Sequence, residues 1–177
     1  IAMDDELDDR MEQVFRELLS YMMEDPRTIT RALRLMFVAK YFERMGDQAV
    51  NIAENALTLI PQPPVKPLID IPRMAELAEG MIRDALDAFV KKDAALARDV
   101  LSRDDEVDEL KDQVFRELLT YMMADPGTIQ RSLALILLSR NLERIADHAT
   151  NIAEDVIFIA EAKDVRHHAL ERGERGQ

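Results

Sequence analysis

Cysteine and tryptophan are absent from this 177-residue chain, and histidine occurs three times. Without cysteine there is no disulfide framework, no thiolate nucleophile and no zinc–cysteine centre. A cytoplasmic location is the matching expectation. Positive charge is also short: 23 lysines and arginines face 35 acids, for a net charge of −12. That balance argues against a general phosphate-backbone binder, so nucleic acid is not an expected partner. It suits cations or basic protein surfaces. Long apolar runs are missing too. The longest, residues 133–138, is far too short to span a bilayer, so any membrane association is expected to run through partners. Five glycines among abundant Leu, Ala, Met, Glu and Arg favour helix.

What the chain does contain is an internal repeat. Residues 4–59 and 104–159 align without a gap at an offset of 100, with 29 of 56 positions identical. The shared blocks are DDE from Asp4 and Asp104, QVFRELL from Gln13 and Gln113, YMM from Tyr21 and Tyr121, DP at Asp25 and Asp125, and ER–D–A–NIAE from Glu43 and Glu143.

Apolar residues in each unit recur at three- and four-residue intervals, as in Leu7, Met11, Val14, Leu18 and Tyr21. Asp25-Pro26 ends that helix, and Thr28 is the expected cap of the next, which runs to about Ile60. The second unit repeats this, with helices expected over 101–124 and 128–160. PQPPVKP, residues 61–67, reads as a stiff linker. After it, residues 73–98 carry an amphipathic pattern of their own. The expected fold is therefore all-α: two tandem three-helix bundles, the first lacking its N-terminal helix, which by symmetry should precede Ile1. The corresponding domains are 1–60, a linker at 61–72, 73–162, and a polar tail at 163–177. The pair Met22-Met23, with its copy Met122-Met123, is expected to pack in core and turn.

Glu43, Asp47, Asn51 and Glu54 share one side of a helix, and Asp4 and Asp8 form an i, i+4 pair on the helix before it. Folding the hairpin at its Pro turn sets Glu43 opposite about residue 10 and Asp47 opposite about residue 6, one turn from each other on a shared face. The second unit repeats the arrangement with Asp104, Asp108, Glu143 and Asp147. Gathered carboxylates repel unless cations neutralise them, and an oxygen-only donor set suits hard or borderline ions. A plain solvated face is the competing reading. His148 has Gln48 as its counterpart and is expected to flank the face rather than ligate; His167 and His168 fall in the tail. No GxGxxG, P-loop, HExxH or Ser-His-Asp arrangement is present.

The ERxxDxxxNIAE stretch at Glu43 and Glu143, with VFRELLxYMM after an acidic run, resembles the PhoU family of phosphate-uptake regulators over nearly the whole chain. The resemblance implies a cytoplasmic helical bundle with metal clusters on its acidic motifs, holding iron, zinc, magnesium or manganese. Carried onto this sequence, the ligands would be Asp4, Asp8, Glu43, Asp47, Asp104, Asp108, Glu143 and Asp147, with Asn51, Glu54, Asn151 and Glu154 as second choices. It implies a non-enzymatic negative regulator of phosphate uptake and starvation signalling. The implied partners are the transporter's ATP-hydrolysing subunit, a sensor histidine kinase and a possible second copy of the chain. Two other readings compete: a metal-dependent carboxylate-bundle enzyme, which lacks a paired histidine or evident base, and an accessory domain of another phosphate carrier.

Overall fold

Proline decides where each hairpin turns. This computed structural model describes the backbone of residues 2–173 and the side chains of residues 6–161. Helix α1 (Ala2–Glu24) ends at Asp25, and Pro26–Thr28 make a single 3-10 turn before α2 (Ile29–Leu59). The Asp25 carboxylate caps that turn by accepting the Arg27 backbone N–H at 3.0 Å. Thr28 does not cap α2 as expected. Its hydroxyl reaches back to the carbonyls of Asp25 at 2.7 Å and Tyr21 at 3.1 Å, so it satisfies the end of α1 instead. The second repeat copies the device, with Asp125 accepting from Gly127 N at 2.9 Å and Thr128 reaching Asp125 O and Tyr121 O.

The amphipathic segment expected over 73–98 is two helices, not one. Helix α3 (Asp70–Lys91) stops at Lys92, which adopts φ 57°, and α4 (Ala94–Ser102) starts at once. Asp93 drives the break: its carboxylate accepts both Ala95 N at 2.9 Å and Leu96 N at 3.0 Å. The left-handed lysine costs roughly 1–2 kcal/mol, which this strong cap and a buried Ala97 and Val100 offset. The apolar stripe lapses for one turn at Lys92 and Asp93 and resumes at Leu96, a gap too short to mark the break by periodicity alone. After Arg103 come α5 (Asp104–Ala124), a second 3-10 turn and α6 (Ile129–Gly173). Thus α6 continues through much of the segment read as a polar tail. His167 and His168 lie outside the residues whose side chains are described.

Helix α6 is the spine: α2, α3, α4 and α5 all pack on it, whereas α1, among the described residues, touches α2 and the turn beside it. Small side chains line this packing, with Ala85 and Ala88 of α3 and Ala146, Ala149 and Ala153 of α6 fully buried. Among the described residues there is no strand, and nothing covers the first hairpin as α3 covers the second. Two repeats are present, and among the described residues no helix stands before the first hairpin as α3 and α4 stand before the second. Burial records this directly: Val114 is 0% exposed and its copy Val14 is 38% exposed. The linker is pinned. Lys66 is buried, with its ammonium 2.6 Å from Asp70 Oδ2 and also paired with Glu117, and Arg131 Nη1 donates to the Pro63 carbonyl at 2.7 Å.

Candidate functional site

The two acid-bearing helices of the second repeat face each other at the level the hairpin register predicts. Glu143 was expected opposite the copy of residue 10; it is met one position away by Lys111 of α5, whose ammonium lies 3.1 Å from Glu143 Oε1 and 2.7 Å from Asp108 Oδ1. Asp104 and Asp147 complete the group. Burial raises the Asp104 carboxyl above its ordinary range, and the charges of Asp108, Asp105 and Glu143 push the same way. Burial likewise raises Asp147, helped by Glu143, Asp104 and Asp108. Negative charge therefore remains in excess after Lys111 has done its part. The Lys111 ammonium is itself held protonated far up the scale, chiefly by its bond to Asp108 and then by Glu143.

The first repeat is arranged differently. Glu43 is half-buried and both its oxygens lie 2.6 Å from Lys40, one turn earlier on the same helix. Asp47 and Asp8 are exposed, and the side chain of Asp4 lies outside those described. Met11, buried beneath α2, stands where the second repeat has Lys111. Of the second-choice residues, Asn151 donates to the Asp147 carbonyl at 2.8 Å, while Asn51, Glu54 and Glu154 are exposed. Among the described residues, no three Asp, Glu or His side chains are yet drawn close enough to hold a metal ion. The second set has the oxygen-only chemistry that suits a hard cation, four carboxylates from two helices, but the spacing seen here does not bring three of them together. Asp104, Asp108, Glu143 and Asp147 are the residues that would hold it, with the flexible Lys111 side chain displaced.

Sequence reasoning missed Lys111. The signal was present as a Met11-to-Lys111 difference inside an otherwise acidic repeat, but its spacing does not show that the side chain enters the face. His148 faces away, into the seam between α2 and α6, where its ring stacks on Tyr41 with centroids 5.9 Å apart. Burial holds this imidazole below its usual range, and Arg44 and Arg144 add to the effect. Its Nδ1 and the Oε1 of Gln48, at the matching position, are buried without a hydrogen-bond partner among the described residues.

A second surface is repeated. Leu19, Met23, Ile29, Leu33 and Phe37 are exposed apolar residues, and so are Leu119, Met123, Ile129, Leu133 and Leu137. Met23 and Met123 are 86% and 79% exposed, so they do not pack in the core as expected, whereas Met22 and Met122 are half-buried.

The mutual repulsion at the acidic face has a testable sign. A carboxyl whose folded value is raised above 3.8 binds its proton more tightly in the folded state, so it subtracts stability at neutral pH and ceases to do so as acid protonates it. Asp147→Asn is therefore expected to stabilise the metal-free protein at pH 7 by a few tenths to about 1 kcal/mol. The gain should shrink as the pH falls through the range above 3.8. Urea denaturation at neutral and acid pH measures this, and destabilisation at pH 7 would contradict it.

These features agree with the comparisons to known proteins. The sequence matches the PhoU domain over residues 1–56 and 71–156. It is 41% identical over 162 residues to the phosphate-specific transport system accessory protein PhoU homolog of Caulobacter vibrioides, covering 89% of this chain and 70% of that one. It is 47% identical over 133 residues to the Aquifex aeolicus homolog of the same description, covering 75% of this chain and 60% of that one. The fold superposes on the crystal structure of PhoU from Pseudomonas aeruginosa with a TM-score of 0.86 at 32% identity, covering 91% of this chain and 79% of that one. Two acid-faced hairpins in tandem, matched by family, sequence and fold, lead to one assignment: the chain belongs to the PhoU family.

Proposed function

We propose that this chain is a metal-binding regulator of phosphate uptake and of phosphate-starvation signalling, working in the cytoplasm through protein contacts and without turnover. The observation that carries the reading is the carboxylate set Asp104, Asp108, Glu143 and Asp147, brought to one level by α5 and α6 in a PhoU-family chain. A bound hard cation would neutralise that set and tie the two helices together. Relatives described as phosphate-specific transport system accessory proteins support a regulatory part in transport. Contact with the transporter's ATP-hydrolysing subunit and with a sensor kinase is favoured by the exposed apolar residues that recur at matching positions of both repeats. Among the residues whose side chains are described the histidine is His148, which lies in the helix seam away from the carboxylates, so regulation is preferred over catalysis. No described helix is long and apolar enough to cross a membrane.

The test is genetic. Deleting the gene is expected to switch on phosphate-starvation genes in phosphate-rich medium, and the wild-type copy should restore repression. A copy carrying Leu33→Glu with Leu133→Glu should be folded by circular dichroism yet fail to restore it. Normal repression in the deletion strain would refute the regulatory role. Full complementation by the double variant would refute this surface as the contact.

A further inference from the structure

Where α2 begins and α3 ends, beside Phe158 and Ile159 of α6, a cavity of about 580 Å³ opens. Its floor is apolar, with Leu35, Phe89 and Phe158. Arg27, Arg31, Arg34 and Lys92 line its sides, and no carboxylate does. In a chain of net charge −12, four cations line one groove, and two of them are already neutralised by the carboxylates of Asp25 and Asp155. Two of them are anchored from outside the groove. Arg27 pairs with Asp25 at 2.9 Å. Arg34 pairs with Asp155 at 2.8 Å and lies 3.9 Å above the Phe158 ring. Arg31 is exposed and makes no ion pair among the described residues.

The repeat supplies a template for what such a groove holds. A second cavity, of about 310 Å³, occupies the matching place, with Arg131, Leu135 and Leu59 for Arg31, Leu35 and Ile159. There the chain's own linker lies along the opening: Pro63, Pro64, Val65 and Leu68 form its wall, and Arg131 grips the Pro63 carbonyl at 2.7 Å. The two grooves differ in charge. Arg27 and Arg34 stand where the second repeat has Gly127 and Ala134, and Lys92 adds a further cation supplied by the break after α3.

We propose that the groove between α2, α3 and α6 receives an extended, proline-containing acidic segment of a partner protein. Arg31 takes a backbone carbonyl of that segment as Arg131 takes that of Pro63, apolar side chains rest on Leu35, Phe89 and Phe158, and carboxylates face the cationic rim. An extended proline-containing strand fits because it arrives already stiff and leaves carbonyls free to accept. The inference rests on the groove and its mate, and does not depend on metal at the acidic face.

The probe is a fluorescein-labelled peptide with the sequence of residues 61–68 carrying K66E, titrated with the full chain by anisotropy; the unsubstituted peptide is the charge control. The acidic peptide is expected to bind with a Kd of about 10–100 µM, and the control about ten-fold more weakly. Arg31→Glu should weaken binding by about ten-fold or more, while Arg140→Glu, the same charge change at another exposed site, should alter it less than about two-fold. Circular dichroism and melting confirm that both variants are folded. Equal affinity for wild type and Arg31→Glu overturns the proposal, as does an equal loss with Arg140→Glu. No binding to wild type at about 1 mM peptide, or self-association that blocks the groove, overturns it too.

Discussion

Leu118→Ala is expected to cost about 3 kcal/mol, within the usual range of about 2–5 for a buried leucine, and to lower the melting temperature by roughly 6–12 °C. Leu18→Ala, the same change at the matching position of the same motif, is expected to cost about 1 kcal/mol. Both leucines sit in QVFRELL, so local propensity is identical. Leu118 is fully buried in a core that includes Met74 and Met81 of α3, whereas Leu18 is half-buried on α1, which among the described residues packs on α2 and the adjoining turn. Truncating Leu118 leaves a cavity that close-packed neighbours cannot refill; truncating Leu18 leaves one that water already borders. Chemical denaturation of the two variants reads the difference. Equal losses would mean that the two hairpins are equally enclosed, and would contradict the packing described above.

The second large effect concerns the proposed cation site. Lys111→Met, which gives the second repeat the residue that the first carries as Met11, is expected to tighten Mn²⁺ binding about ten-fold. The Lys111 ammonium sits between Asp108 and Glu143 at 2.7 and 3.1 Å, so an incoming cation must displace one positive charge from two of its prospective ligands. Two unit charges about 4 Å apart interact by about 4 kcal/mol at an effective dielectric of 20. Solvent and the flexible lysine stem return part of that, leaving roughly 1.4 kcal/mol for a ten-fold change. The same substitution should destabilise the metal-free protein by about 1 kcal/mol, because Asp108 and Glu143 lose their counter-charge. Calorimetric titration with Mn²⁺ measures the affinity. Glu143→Ala with Asp147→Ala is the matching loss-of-site variant and should reduce binding at this repeat below detection. Unchanged binding in both variants would remove the carboxylates from the ligand assignment.

Arginines at the groove and lysines at the acidic face show a common economy of charge. The chain is strongly acidic overall, yet its cations are placed where carboxylates or a cavity concentrate potential: Lys40 on Glu43, Lys111 on Asp108 and Glu143, Lys66 on Asp70 and Glu117, and Arg34 on Asp155. Lys66 is the most enclosed of these and makes the proline-rich linker part of the packed structure.

Much of the architecture was present in the residue order alone. The offset of 100 determined that two equivalent hairpins exist, Asp-Pro determined where each turns, and the antiparallel register followed from the length between that turn and the acids, correct to one residue at Glu143. These features depend on local rules: proline cannot continue a helix, and side chains three or four apart share a face. The tertiary structure alone decided the rest. Periodicity lapses for a single turn at Lys92 and Asp93, as any exposed place in a helix would, so the competition between Asp93 capping and helix continuation is what shows that α3 ends there. Identical QVFRELL segments have different burial because α3 covers one of them. Lys111 enters the acidic face because its long stem spans the gap between α5 and α6, a distance that sequence spacing does not contain. Local chemistry sets elements and registers; which side chain meets which across two helices is set by how those helices are packed.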